Sequence, residues 1–348
     1  MRILLLLSTS IFSGAENVAC QIYNVLKAEK NEVAYCSPCG EIKQRLTDNG
    51  IEYLPLDKFS VKEVKRAIKE FKPDVIHAHD MRACLLAGMA TKKIPVVGHI
   101  HNNWMDARKF SIRSIMFLFI ARRLKHVFWV SRSAFEEYKF RRFLQNKSEV
   151  LYNVIDINVV REKAKTSPIQ QGYDIVFLGR LTYQKNVERL VTIVGEIVKT
   201  IPNIKVAIVG SGELYSDIEK MIFEAGLVNS IQMLGYQKDP YGIVKNSKVL
   251  MLTSRWEGTP IVVLESLTLG TPVVSTPVDG VKDLIRNGEN GYLSDDNQSL
   301  ANEIVKIIQD DALLKELSNN ARKTSENFNN LNKYKERLVT IYQNVLRK

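Results

Sequence analysis

Two glutamates, Glu257 and Glu265, lie eight positions apart in the segment SRWEGTPIVVLES. Thr259 suits the N-cap of a helix and Pro260 its first turn, which places Glu257 in a loop and Glu265 inside the helix that follows. The apolar residues around Glu265 predict a buried helix, and a buried carboxylate needs hydrogen-bond donors. Two vicinal hydroxyls, such as a ribose diol, would satisfy both of its oxygens, and a salt bridge within the protein is the alternative.

The start of this helix and a second loop offer groups that suit phosphate. The N–H groups of residues 259–262 have no carbonyl partner within the helix and can receive an anion. Arg180 and Lys185 follow an apolar run in FLGRLTYQKN. A cation pair there can hold a diphosphate and stabilise its charge as it leaves, whereas two solvated surface charges are the simpler interpretation.

Gly14 follows the first apolar run and precedes a helical pattern, in STSIFSGAEN. A glycine at that point lets backbone N–H groups approach a phosphate, but a tight turn would require it equally. The segment is not G-x-G-x-x-G, so it argues only weakly for a dinucleotide site.

Four of the five histidines form two pairs, HAH at 77–79 and HIH at 99–101. Alternate residues of a strand share a face, so the members of each pair point the same way. No carboxylate accompanies them at ligand spacing, and we therefore predict no metal site. His101 is the best candidate for a binding residue, because a neutral imidazole can hydrogen-bond a hydroxyl. Cys36 and Cys39 also have ligand spacing, but no second pair completes a zinc site, and we expect reduced thiols.

The elements that position these residues follow from a regular alternation of apolar runs and amphipathic segments. The runs predicted as buried parallel strands are residues 3–8, 32–36, 74–78, 95–100, 126–130, 149–152, 173–179, 204–210, 230–235, 248–253 and 271–275. Strands that alternate with helices predict an α/β architecture of open, doubly wound parallel sheets with helices on both faces. Past residue 296 the pattern is helical throughout.

The length of 348 residues suits two domains. We predict a Rossmann-like N-terminal domain at 1–160, a Rossmann-like C-terminal domain at 161–329 and a last helix at 330–348. The stretch 155–172 loses periodicity and is predicted as the linker. Two such domains are expected to leave a cleft between the carboxyl ends of their sheets, where ligands bind.

The net charge of +11 is confined to the first half of the chain. Residues 1–170 contain 28 Lys and Arg against 17 Asp and Glu, and residues 171–348 contain 21 of each. A basic half indicates an anionic partner such as phosphate, a membrane surface or nucleic acid. The apolar start, Ile3 to Leu7, is shorter than the core of a signal peptide, and no run is long enough to span a membrane. We therefore expect a cytoplasmic protein.

The ordered motifs resemble the family-4 retaining glycosyltransferases of GT-B architecture, sugar-nucleotide-dependent enzymes common in bacterial polysaccharide assembly. The matching motifs are SGAE (13–16), PDVIHAH (73–79), PVVGHIHN (95–102), NVID (153–156), FLGRLTYQKN (177–186), VGSGEL (209–214), EGTPIVVLES (257–266), LGTPVVST (269–276) and NGENGYL (287–293). Two positions depart from the family pattern. Ser13 replaces the first of two glycines, and Thr259 replaces a large apolar residue, which puts the phosphate loop and the sugar pocket in doubt.

The resemblance implies a role for each candidate. Glu257 and Glu265 match the E-x7-E signature, in which the second glutamate binds the donor ribose and the first lies near the transferred sugar. Arg180 and Lys185 match the cations that hold the donor diphosphate. His101 matches a histidine that contacts the donor sugar near the reacting carbon.

The resemblance also assigns backbone contacts. Gly14 matches a glycine of the phosphate loop, and Gly258, Thr259, Pro260 and Ile261 match backbone that touches sugar and phosphate. The family needs no metal for catalysis, and no DxD motif follows a strand here, so we expect neither a metal nor another cofactor. The final helix is expected to pack back on the first domain.

We therefore expect a retaining, metal-independent hexosyltransferase. It would move a hexose from a nucleotide-diphosphate sugar, with UDP favoured, to a sugar hydroxyl of a lipid-linked acceptor in capsule, exopolysaccharide or lipopolysaccharide assembly. Same-face attack and double displacement are both open as routes to retention. A sugar-nucleotide epimerase of the same fold is an alternative. A nucleic-acid-binding protein is the second alternative. The basic half lacks a recognisable nucleic-acid motif, however, and we predict no nucleic-acid partner.

Segment 108–147 is the basic part of the first half that also carries apolar residues. Its apolar residues are Ile115, Met116, Phe119 and Ile120, and its basic ones include Lys109, Arg113, Arg122, Arg123, Lys125, Arg132, Lys139, Arg141, Arg142 and Lys147. Such a segment can dock on anionic lipid at the inner face of the cytoplasmic membrane, and a core helix with a solvated basic face is the alternative.

Overall fold

The computed structural model describes residues 1–12, 14–101 and 108–347. These residues divide by packing into two units, one formed by Met1–Asn153 with Leu331–Lys348 and the other by Val154–Asn330. Each unit has its own parallel sheet and its own apolar core.

The strands of the first unit are β1 (Arg2–Leu6), β2 (Glu32–Pro38), β3 (Tyr53–Leu56), β4 (Val75–His79), β5 (Val96–Ile100), β6 (His126–Trp129) and β7 (Ser148–Val150). Its helices are α1 (Gly14–Ala28), α2 (Ile42–Asp48), α3 (Val61–Phe71), α4 (Asp80–Ala90), α5 (Ile112–Ala121) and α6 (Arg132–Glu136). The sheet order is β3-β2-β1-β4-β5-β6-β7, and all pairs are parallel. The order reverses between β1 and β4, and such a reversal opens a crevice at the carboxyl ends of the strands.

The second unit starts with α7 (Ile157–Thr166). Its strands are β8 (Ile175–Leu178), β9 (Val206–Val209), β10 (Ile231–Gly235), β11 (Val249–Leu252), β12 (Val273–Ser275) and β13 (Gly291–Leu293). Its other helices are α8 (Val187–Val198), α9 (Tyr215–Glu224), α10 (Tyr241–Lys245), α11 (Ile261–Leu269), α12 (Asn297–Gln309) and α13 (Asp311–Phe328). The sheet order β10-β9-β8-β11-β12-β13 is again parallel throughout, with its reversal between β8 and β11.

Every strand predicted from an apolar run is present, which confirms the doubly wound α/β architecture. β3 and β13 were missed. β3 contains Pro55 at the edge of its sheet, and β13 has only three residues, so neither produces a clear apolar run.

The predicted linker, 155–172, is wrong over most of its length, because α7 occupies Ile157–Thr166. Asp156 caps this helix, its Oδ1 accepting from the N–H groups of Asn158 and Val159 at 2.9 and 3.1 Å. The predicted domain boundary after residue 160 therefore falls inside a helix, and the division by packing lies at Asn153.

The last helix, α14 (Leu331–Arg347), belongs to the first unit. Its Tyr342 hydroxyl and the Nδ1 of His77 are 2.7 Å apart in the buried interior, and its Arg337 binds Glu149 at 2.6 Å. Within the described residues, no helix combines the length and the hydropathy needed to cross a bilayer.

Candidate functional site

Glu257 lies in the loop between β11 and α11, where the sequence pattern predicted it. Its Oε1 accepts from the Lys185 ammonium at 2.7 Å and from the Ser254 hydroxyl at 2.6 Å. The side chains of Lys185 and Glu257 are only 14% and 6% exposed, so the pair is a buried one, and breaking it by removing one partner would be costly. An ammonium has three donors, which leaves Lys185 able to bind a further anion.

One backbone hydrogen bond and one from the Gln184 side chain join the two loops that carry this ion pair. The Arg255 N–H donates to the Gln184 carbonyl at 2.8 Å, and the Gln184 amide donates to the Trp256 carbonyl at 3.0 Å. Gly280 has a φ of +50°, and a Cβ there would collide with the Gly258 carbonyl. The glycine thus lets a third loop approach the backbone that precedes α11.

The start of α11 differs by one residue from the prediction. Pro260, rather than Thr259, is the N-cap, in the extended conformation at φ −71° and ψ 116°, and no side chain of the described residues caps the helix. Ile261 is the first helical residue. The N–H groups of the first turn therefore lack a side-chain acceptor, as a phosphate site requires.

Arg180 lies just past β8 and Gly179, and its side chain is exposed. Its guanidinium makes no ion pair with a described residue. Of the two predicted cations, the structure thus brings only Lys185 to Glu257.

Glu265 is buried in the middle of α11 and takes a different partner from Glu257. Its Oε1 accepts from the Tyr241 hydroxyl at 3.1 Å. Burial raises the pKa of Glu265 to about 7, and the hydrogen bond from Tyr241 and the charge of Lys163 only partly oppose this rise. Glu265 is therefore a buried carboxyl without a salt-bridge partner at ion-pair distance in the described chain, which leaves it able to accept from a ligand.

His101 directly follows β5, and its ring lies beside that of His79, with His101 Nε2 and His79 Nδ1 2.8 Å apart. His77 and His99 complete a group of four buried imidazoles. Burial lowers the pKa of His77 and of His101 to about 3, and it holds the pKa of His79 and of His99 well below 6.5. The imidazole of His101 is thus neutral at physiological pH, as predicted.

Gly14 is the first residue of α1 and is exposed. A Cβ added to it would meet no atom within 4 Å, so packing does not require glycine here, and the phosphate-loop assignment stays a prediction. Ser13 and the asparagines after His101 lie outside the described residues. Gly14 and His101 belong to the first unit, whereas the other candidates belong to the second.

Two residues at the site were missed in the sequence. Ser254 precedes Glu257 by three positions in the same loop. A serine so close in the sequence could have been named as a hydrogen-bond donor to that carboxylate. Tyr241 lies 24 positions from Glu265 and reaches it only through the packing of α10 on α11, which no local pattern indicates.

The basic and apolar segment around α5 has two faces. Phe117, Leu118, Ile120 and Ala121 are buried, so of the four apolar residues named in the sequence Ile120 belongs to the core. The exposed face carries apolar residues that are 38–79% exposed, namely Ile112, Ile115, Met116 and Phe119.

The basic residues of this segment also divide into two groups. Lys147 does not belong to an exposed surface, because its ammonium donates to the Ala121 and Leu124 carbonyls at 2.5 and 3.0 Å. Lys109, Arg113 and Arg122 are exposed.

Two family models match adjoining parts of the chain. The model described as "Glycosyltransferase Family 4" matches residues 12–159, and the model described as "Glycosyl transferases group 1" matches residues 160–324.

Curated relatives agree with these models. A UDP-Gal:alpha-D-GlcNAc-diphosphoundecaprenol alpha-1,3-galactosyltransferase of Escherichia coli is 23% identical over 95% of this chain and 94% of its own. An alpha-1,4-N-acetyl-D-galactosaminyltransferase of Campylobacter jejuni, named for an undecaprenol-linked saccharide, is 26% identical over 94% of each chain. An uncharacterized glycosyltransferase of Methanocaldococcus jannaschii is 28% identical, but the match spans only 62% of this chain and 58% of that protein.

Solved structures share the fold over the whole chain. Anabaena Alr3699/HepE in complex with UDP has a TM-score of 0.85 at 19% identity and covers 99% of this chain and 100% of its own. Its complex with UDP-glucose has a TM-score of 0.84 at 21% identity, covering 100% of this chain and 98% of its own. The fold and these matches define a glycosyltransferase of GT-B architecture. The chain belongs to the family-4 glycosyltransferases.

Proposed function

We propose that the protein is a retaining hexosyltransferase that moves a hexose from a UDP-sugar to a hydroxyl of a lipid-linked saccharide. The observation that carries the proposal is that the two glutamates have different positions and different partners. Glu257 is held by Lys185 and Ser254, whereas Glu265 lies in the helix against Tyr241. One carboxylate serves the sugar end of a donor and the other serves the ribose.

In this proposal the donor diphosphate lies at the N-terminus of α11. Lys185 keeps its bond to Glu257 and gives a second N–H to the diphosphate, and the exposed Arg180 closes on it from the loop after β8. The uncapped N–H groups of the first turn complete the anion site. No metal ion is needed, because these groups already stabilise the negative charge of the leaving diphosphate.

The transfer step follows from where charge develops. As the bond from the anomeric carbon to the diphosphate lengthens, the sugar gains positive character and the diphosphate gains negative charge. Each preorganised donor at the diphosphate is worth about 3 kcal/mol of barrier. The acceptor hydroxyl attacks from the face that the diphosphate leaves and passes its proton to a phosphate oxygen, so the configuration is retained.

Two relatives are named for undecaprenol-linked saccharides and cover 94% or more of this chain, which supports a lipid-linked acceptor. The exposed face of α5 offers a docking surface for the membrane that holds it. Ile112 and Phe119 are 79% and 60% exposed, with Arg113 and Arg122 beside them in the chain. A peripheral protein binds a membrane stably through two kinds of contact. Apolar side chains insert at the lipid boundary, and cations bind the anionic headgroups. We place the protein at the cytoplasmic face.

Donor choice is tested by the thermal unfolding midpoint of the purified chain with UDP, GDP and their common hexose conjugates. We expect UDP and one UDP-hexose to raise the midpoint more than any GDP compound, because a ligand that binds only the folded state stabilises it. A larger increase with GDP-sugars would refute the choice of UDP.

Membrane docking is tested by flotation with vesicles of neutral lipid or of neutral lipid with anionic phosphatidylglycerol. We expect flotation only with the anionic vesicles. Replacing Phe119 and Arg122 by Ser and Glu should abolish it, whereas Phe223→Ser on α9, a ring that is 74% exposed on the second unit, should not. Flotation that ignores lipid charge would refute docking on anionic lipid.

A further inference from the structure

Three buried histidines of the first unit bring ring nitrogens close together. One nitrogen from each of His79, His99 and His101 lies within 4.8 Å of the other two. His79 and His99 are register partners at the ends of β4 and β5, and His101 follows on the same side as His99. The two strands thus fix the positions of His79 and His99, and His101 is held one residue past the end of β5. Strands place ligands more firmly than loops do.

The ring nitrogens of this trio are largely unpaired. Neither nitrogen of His99 has a hydrogen-bond partner among the described residues, and the same holds for His79 Nε2 and His101 Nδ1. His79 and His99 are fully buried and His101 is 6% exposed. Buried polar atoms are normally paired, because leaving them without a partner after water is removed is costly. A ligand that accepts electron pairs from several imidazoles at once would satisfy them.

Two acidic side chains lie near these rings. The Asp80 Oδ1 accepts from the backbone N–H of His101 at 3.3 Å, and Glu16, which is 2% exposed, interacts electrostatically with Asp80. Carboxylates beside histidine ligands are a common surrounding for a bound cation, since they offset its charge. The sequence pattern did not indicate this arrangement, because Glu16 comes from α1 and is distant in the chain.

We propose that His79, His99 and His101 bind one divalent transition-metal ion of the zinc, copper or nickel type. Imidazole nitrogens favour these ions over magnesium or calcium. A tetrahedral ion with Zn–N bonds of about 2.0–2.1 Å needs ligand nitrogens about 3.3 Å apart. The ring nitrogens of His79 and His101 are 2.8 Å apart and no pair of the trio exceeds 4.8 Å, so binding requires rotations of the rings and no change in the strands.

The ion joins the carboxyl ends of β4 and β5 and fixes the ring of His101. Each imidazole has two nitrogens, so ligation through one leaves the other able to form a hydrogen bond. The ion is held wholly by the first unit, whereas the proposed diphosphate ligands lie in the second. The metal site shares only His101 with the residues assigned to the donor, and it is tested without measuring activity.

The test is the metal content of the full chain, purified through a tag without histidines from cells supplied with zinc, copper, nickel and cobalt. We expect about one ion per chain by elemental mass spectrometry. His99→Gln should lower the affinity by more than about 100-fold, beyond the loss typical of an outer-shell partner. His126→Gln is the matched control, because His126 lies on β6 beside Glu149 and outside the trio, and it should leave the content unchanged.

A second measurement decides the matter if His99→Gln does not fold. Wild-type protein stripped with a chelator should rebind cobalt with the absorption bands of nitrogen ligation, and its thermal unfolding midpoint should rise with cobalt or zinc. Metal far below one ion per chain in the wild type would overturn the proposal, as would stripped protein whose midpoint no ion raises. Equal metal in His99→Gln, His126→Gln and the wild type would overturn it as well.

Discussion

Replacing Glu265 by Gln should weaken donor binding and yet stabilise the protein above neutral pH. The carboxyl is buried in α11, with the Tyr241 hydroxyl and the charge of Lys163 as its polar surroundings. Burial raises its pKa from 4.5 to about 7, so in the folded chain the neutral form is favoured below pH 7. A glutamine has nearly the same shape, keeps an oxygen for Tyr241 and never ionises.

The size of the effect follows from the difference in pKa. Below pH 4.5 the carboxyl is protonated in the folded and the unfolded chain, and the substitution changes stability little. Between pH 4.5 and 7 the unfolded chain ionises first, so the wild type loses stability as the pH rises. Above pH 7 this loss is complete and amounts to at most about 3 kcal/mol, at 1.36 kcal/mol for each pKa unit. Glu265→Gln should recover most of it at pH 8.

The assay is thermal unfolding of the wild type and the variant at pH 5 and pH 8, with UDP titration by calorimetry at the same pH values. For a domain of this size a gain of 1 kcal/mol raises the midpoint by about 2–4 °C. The variant should gain several degrees at pH 8 and about a quarter as much at pH 5, where the unfolded chain has begun to ionise. Its UDP affinity at pH 8 should fall at least about tenfold, because an ionised carboxylate accepts more strongly from the ribose hydroxyls than an amide does.

The control for this experiment is Glu316→Gln, an exposed glutamate on α13 in the same unit. It should change neither stability nor UDP affinity appreciably. A Glu265→Gln variant that is less stable than the wild type at pH 8, or that binds UDP equally well, would refute the assignment of Glu265 as the buried ribose ligand.

Three further substitutions test other parts of the account. Glu257→Gln should lower turnover about 100-fold with little change in UDP affinity, since it orients the transferred sugar, and steady-state kinetics would separate the two effects. Tyr342→Phe should cost about 1–3 kcal/mol in chemical denaturation, because it leaves the buried His77 nitrogen without its partner. Gly280→Ala should weaken UDP binding measured by calorimetry, because the new Cβ collides with the Gly258 carbonyl.

Each of these substitutions has a control or a contrary result. Gly226→Ala is the control for Gly280→Ala, because it also places a side chain at a positive φ, +69°. Its new Cβ would contact no other atom, so UDP binding should stay intact. Tyr183→Phe is the control for Tyr342→Phe. The Tyr183 side chain is 59% exposed, so removal of its hydroxyl should leave stability unchanged. A Glu257→Gln enzyme with lost UDP affinity and normal turnover would reverse the roles given to the two glutamates.

The fold could be predicted from the sequence wherever a strand is buried on both faces. Runs such as those of β1 and β11 are continuous and apolar because helices cover both sides of a parallel sheet. The pattern did not indicate the edge strands β3 and β13. It also did not indicate α7, a mostly polar helix with a single apolar stripe.

The candidate site could be predicted only in part, because the chain pattern does not reveal tertiary partners. The spacing of Glu257 and Glu265 placed one in a loop and the other in a helix, as the structure has them. It could not show that Lys185 binds Glu257 or that Tyr241 binds Glu265. Nor could it show that His79, His99 and His101 lie together, since that depends on the register of two strands that are distant in the chain.

The most direct test of the proposed function is the configuration of the product. The purified protein would be incubated with a UDP-α-hexose and an undecaprenyl-diphosphate-linked saccharide, and the new linkage would be assigned by nuclear magnetic resonance. Retaining transfer predicts an α-linked sugar on the acceptor and one UDP released for each linkage formed. A β-linked product, or UDP release that needs no acceptor, would contradict it.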